Sequence, residues 1–164
     1  MKKKIFAVIV LACVLGTASV FATGIGAQAG TVAGHDFGFG GALTFKLDKS
    51  PWVFALHVDG LSTNYLGFGL TADNWLANPT FAKPFAYYYG WGLAGSFETF
   101  GNGARLFVGA RLVGGINVFL AKAFELYAQV AWQPGLYVGV SGDYAGAHAD
   151  FVAFPINLGF RFWF

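Results

Sequence analysis

The chain has 164 residues, with ten Lys and Arg against eight Asp and Glu and a formal net charge of +2. Charged residues make up only 11%, while aromatics reach 19% and glycines number 24; soluble domains carry about 25% charge. That is too little charge to cover a water-facing surface, and no basic patch for nucleic acid or acidic tail for storing cations stands out.

The chain opens with Met1-Lys2-Lys3-Lys4, an apolar run over 5–15, and the small, mildly polar Gly16-Thr17-Ala18-Ser19-Val20-Phe21-Ala22. Basic, apolar and small residues in that order make residues 1–22 a secretory signal peptide cleaved after Ala22. The apolar run is well short of the ~20 residues a spanning helix needs. Val10-Leu11-Ala12-Cys13 is a loose lipobox, but Val14, Leu15 and Val20 keep the following residues apolar, so removal of Cys13 with the signal is the stronger reading. Without Lys2, Lys3 and Lys4, seven basic residues face eight acidic ones, and the remaining chain, 23–164, has no thiol. No stretch of it approaches 18 uncharged apolar residues, which argues against transmembrane helices. A closed β-barrel is the other structure that satisfies its backbone in lipid.

The strands follow in chain order. Residues 24–32, rich in glycine and alanine, are the weakest. Residues 39–47 and 52–59 form a hairpin around the turn Asp48-Lys49-Ser50-Pro51. Leu43, Phe45, Leu47, Trp52, Phe54, Leu56 and Val58 fall on one face; Lys46, His57 and Asp59 fall on the other. Residues 64–72 place Leu66, Phe68 and Leu70 outward and Gly67 and Gly69 inward. Tyr87, Tyr89, Trp91 and Leu93 alternate with Tyr88, Gly90, Gly92 and Ala94. Over 105–120, Leu106, Val108, Ala110 and Leu112 oppose Arg105, Gly109 and Arg111. A three-residue loop, 121–123, sets Leu120 opposite Phe124 and Phe119 opposite Glu125, keeping both faces in phase. Phe124, Leu126, Ala128, Val130 and Trp132 then alternate with Glu125, Tyr127 and Gln129. Last, Phe154, Ile156, Leu158, Phe160, Phe162 and Phe164 share one face.

These make an all-β, eight-stranded antiparallel up-and-down transmembrane barrel over 23–164. The turns 48–51 and 121–123 and the longer connection 73–84 are expected on the periplasmic side. The segments 33–38, 60–63, 98–103 and 134–150 are expected outside.

The terminal Phe160-Arg161-Phe162-Trp163-Phe164, together with Leu70-Thr71-Ala72-Asp73-Asn74-Trp75 and Gly115-Ile116-Asn117-Val118-Phe119-Leu120, resembles the small outer-membrane barrels of the OmpA-transmembrane, OmpX and OmpW type, the short spirochaetal ones above all. The resemblance implies a place in the outer-membrane lipid and an assembly signal in Phe160, Phe162 and Phe164, read by the barrel-assembly machinery.

Lys46, His57, Asp59, Arg105, Arg111, Glu125 and Arg161 gather on inward faces. A buried charge is costly unless paired, so a lumen network of ion pairs and hydrogen bonds is expected, with Glu125 and Arg161 as the first pair and a selective conduit as the alternative. His35, Asp36, His148 and Asp150 fall in 33–38 and 134–150, which barrel closure brings to the same end. They could hold a metal or meet an extracellular ligand, although neither loop has diagnostic ligand spacing. No catalytic residue is assigned. Some small barrels modify lipid A, but none of Ser62, Ser96 and Ser141 has the His-x-Ser arrangement of the deacylases. No cofactor is expected. The function expected first is a structural, surface-interacting, adhesin-like barrel with a filled lumen. Second comes a narrow conduit or binder for small hydrophobic molecules, as in the OmpW-like branch, and third an outer-leaflet enzyme.

Overall fold

The computed structural model describes residues 23–33, 39–62, 65–101, 103–121, 123–142 and 145–164. The signal segment, His35 and Asp36 lie outside them. Eleven strands form one sheet: β1 (Thr23–Ala33), β2 (Phe39–Leu47), β3 (Trp52–Ser62), β4 (Tyr65–Ala77), β5 (Thr80–Ala82), β6 (Phe85–Phe100), β7 (Gly103–Ala121), β8 (Phe124–Trp132), β9 (Gly135–Gly142), β10 (Gly146–Asp150) and β11 (Phe154–Trp163). Every pairing is antiparallel, and β1 pairs with both β2 and β11, so the wall closes on itself. Long β7 pairs with β8 along one half and with β9 along the other. Hence β8 with β9, and β10 with β11, are the two halves of the seventh and eighth wall strands. The result is a closed barrel of eight walls, as the alternation in the sequence requires.

The surface is inverted relative to a water-soluble protein. Outward Val108 is 69% and Leu158 68% exposed, while inward Arg161 is 0%, Glu125 1% and Arg111 2% exposed. Even glycine- and alanine-rich β1 holds its place, because its backbone bonds both neighbours along its length. At one end, Thr23 and Phe164 exchange backbone hydrogen bonds of 3.3 and 3.2 Å. The 48–51 turn lies at this terminal end. There Ser50 N–H donates to the Leu47 carbonyl, and Ser50 Oγ accepts from Trp52 N–H. The opposite end, which carries the connections that follow β3, β6 and β9, is the loop end.

Three expectations need correction. The connection 73–84 is mostly strand: β4 runs on to Ala77, β5 folds back on β6, and only residues 78–79 and 83–84 link them. Period two, carried past Ala72, would have placed Asp73 and Trp75 inward. The segment 134–150 is not a long loop but β9 and β10, which extend walls seven and eight. The break before β9 falls at Pro134, which has no N–H for the ladder. Its carbonyl takes the Ala110 N–H at 3.0 Å, and Gln133 N–H reaches the Ala153 carbonyl at 2.9 Å. Finally, Phe119 does oppose Glu125, but a bulge at Leu120 sets Ala121 opposite Phe124. The turn is therefore tighter than three free residues.

Candidate functional site

The lumen divides into a packed terminal half and a hollow loop-end half. In the packed half, Glu125 and Arg161 are register partners on β8 and β11, and their side chains meet at 3.3 Å. Glu125 also accepts from Asn117 Nδ2 at 2.8 Å and from Trp163 Nε1 at 3.0 Å. The Arg161 guanidinium lies 4.0 Å from the Tyr127 ring centroid and 5.4 Å from that of Trp75. Lys46 Nζ donates to the Ser50 carbonyl at 3.2 Å and lies over Trp75 and Trp163. Trp75 stacks on Tyr88 with centroids 3.7 Å apart. One acid, two cations and four aromatic rings thus fill the space, as an eight-stranded interior is narrow enough to allow.

Inward glycines set how these side chains connect. Asp73, Gly92 and Arg111 stand in one row on β4, β6 and β7. Across the bare glycine, Arg111 Nε reaches Asp73 Oδ1 at 2.8 Å. Tyr88, Gly115 and Gln129 repeat the device: the Tyr88 hydroxyl donates to Gln129 Oε1 at 3.1 Å. Tyr127, Gly159 and Gln28 repeat it again across the closing strands, at 2.9 Å. In all three rows, a Cβ on the glycine would collide with the side chain that crosses it. Glycine therefore lets a side chain bond a partner two strands away. Gly92 is filled in this way, and Gly90 is covered by the Asn74 backbone.

Space does remain toward the loop end, as a cavity of about 560 Å³. Its floor is Arg111, which also donates to Gln133, together with His57, whose Nε2 lies 3.2 Å from Thr71 Oγ1. On its wall, Glu98 takes Arg105 at 2.7 Å and the Ser96 hydroxyl at 3.1 Å. Arg105 lies over Phe100 and Tyr137, 4.8 and 4.2 Å from their ring centroids. Asp59, Tyr65, Gly69 and Asn157 also line it.

All seven predicted lumen residues point inward. The structure divides them between the packed half (Lys46, Glu125, Arg161) and the cavity (His57, Asp59, Arg105, Arg111). Asp73, Trp75 and Glu98 join them from segments read as connections. His148 and Asp150 belong to β10. The His148 ring stacks on Tyr137 at 5.1 Å, and Asp150 Oδ1 accepts from Val152 N–H at 2.9 Å. Among the described residues no group of three or more His, Cys, Asp or Glu is placed to hold a metal, and His35 and Asp36 lie outside them. Phe160, Phe162 and Phe164 are all exposed, and Phe124 contacts the first two rings.

Solved structures with this architecture are found. The N-terminal β-barrel domain of OprF from Pseudomonas aeruginosa aligns with a TM-score of 0.56 at 18% identity, covering 87% of this chain and 97% of that one. The fold is that of the small eight-stranded outer-membrane barrels. Neisserial surface protein A aligns with a TM-score of 0.54 at 12% identity, over 88% of this chain and 97% of its own. No family model and no curated protein matches the sequence.

Proposed function

We propose that this chain is an integral outer-membrane barrel, exported by a signal cleaved after Ala22, with a structural and surface-interacting, adhesin-like role and a lumen closed to ions. One observation carries the reading: an apolar outer face surrounds an interior whose terminal half is closed by the Glu125–Arg161 pair and its aromatic neighbours. Lipid is the solvent that such an outer face suits, because every wall strand has a hydrogen-bonded neighbour on both sides. The terminal end faces the periplasm in this reading, and the loop end meets the surroundings of the cell.

The test joins a gel with an electrical recording. Folded protein is expected to migrate differently before and after boiling, and to carry no steady current in a planar bilayer. A large, stable, ion-selective current from the unmodified protein would overturn the closed lumen and promote the conduit. The loop-end cavity supports a second reading, the capture of small molecules, but its charged lining suits polar ligands better than the hydrophobic ones expected of a conduit.

A further inference from the structure

The row Asp59, Gly67, Glu98 on β3, β4 and β6 has the same form as the three glycine rows already described. In those, an acceptor on one side meets a donor on the other. Here both flanking side chains are carboxylates, which cannot bond each other. Glu98 turns instead to Arg105 and Ser96. Asp59 has no hydrogen bond or ion pair among the described residues. The point where a Gly67 Cβ would sit lies 3.4 Å from Asp59 Cβ, 3.5 Å from Glu98 Cγ and 3.3 Å from the Tyr65 hydroxyl. No carboxylate oxygen crosses Gly67: the Tyr65 hydroxyl stands over it, Glu98 is turned to Arg105, and the Asp59 carboxylate lies over Gly40 on β2, where it lines the 560 Å³ cavity with Tyr65 and Glu98.

Two further observations bear on what would fill that cavity. The first is charge: Glu98 is paired with Arg105 and Arg111 with Asp73, which leaves Asp59 as the carboxylate of the lining without an ion-pair partner among the described residues. Aromatic rings extend this wall, with Tyr65 5.2 Å from Phe100 and Tyr137 4.8 Å from Phe107. Carboxylates beside ring faces recognise organic cations, whose charge is attracted by the ring quadrupole. The second lies across the cavity. Asn157 is 7% exposed and lines the space, and its Nδ2 has no hydrogen-bond partner among the described residues. A buried donor left unpaired calls for an acceptor.

We propose that the loop-end cavity binds a small organic ammonium compound that also carries an oxygen acceptor, with the cation at Asp59 and the oxygen toward Asn157. The volume falls within the range of ligand pockets, roughly 300–1,000 Å³. Binding does not depend on the adhesin-like role or on which way the barrel faces, so the two proposals fail separately.

Choline and its neutral isostere 3,3-dimethylbutan-1-ol, titrated into detergent-folded protein and followed by ligand-observed NMR, test this directly. The band shift on boiling serves as the check of folding. Choline is expected to bind, and the isostere to bind about ten-fold more weakly, since that contrast isolates the charge. Asp59→Asn should weaken choline by a similar factor while the band shift persists. Equal binding of the isostere, indifference to Asp59→Asn in folded protein, or no choline binding would each overturn the proposal. So would calcium binding that displaces choline, because it would assign the two carboxylates to a metal instead.

Discussion

Glu125 accepts from Arg161, Asn117 and Trp163 at once, so its loss is felt by several side chains. Glu125→Ala is expected to cost about 3–5 kcal/mol by leaving Arg161 buried without its partner. The measurement is the temperature at which the folded band converts to the unfolded one. Arg161→Met added to Glu125→Ala should restore part of the loss, because the stranded charge goes with it. Both partners were legible in the sequence, since alternation runs unbroken through their strands. Asp73 and Trp75 were not, although they share parity with Gly67, Gly69 and Thr71. The Asp-Asn pair and the prolines that follow looked like turn chemistry and hid the continuing strand. Glu98 was missed for a similar reason: a glycine-bearing segment after it suggested an early end to the strand. The glycine rows could not be read at all, because they depend on register between strands far apart in sequence.

Single elements differ in how plainly they announce themselves. β8 and β11 are legible because apolar and polar residues alternate without a break. β9 and β10 are not, because Gln133-Pro134-Gly135 looks like the start of a loop. In the folded chain the Phe107 ring covers both Gly109 and Gly135 at that break, where no side chain could stand. Gly135→Val is therefore expected to abolish the heat-shifted band, since both the ring and the Val108 carbonyl would have to move. At the other end of the same walls, Phe164 lies 71% exposed on the outside of the barrel, and removing it takes little from the packed interior. Deleting it is accordingly expected to lower the amount of barrel assembled in cells far more than the stability of protein refolded in detergent. Equal levels of truncated and complete protein in the outer membrane would rule out an assembly signal there.

For the molecule as a whole, the barrel is stoppered at one end and hollow at the other, and the stopper can be removed. Trp75→Ala combined with Tyr88→Ala deletes the stacked pair at the centre of the packed half. A small current in a planar bilayer is expected from that variant and none from the parent. The closing seam has a consequence of its own, in time rather than in space. β1 and β11 meet along ten residue pairs, and Thr23 and Phe164 are bonded to each other. Of all the neighbouring walls, these two are furthest apart along the chain, so their meeting carries the largest loop-closure cost. Hairpins such as β2–β3 can zip locally and early, whereas the seam has to wait for every other strand. Until it forms, β1 and β11 each present an unpaired edge, open to proteases and to other chains. Refolding followed by pulses of protease should therefore find cuts in β1 and β11 persisting after the β2–β3 turn is protected, with both edges becoming resistant together as the heat-shifted band appears.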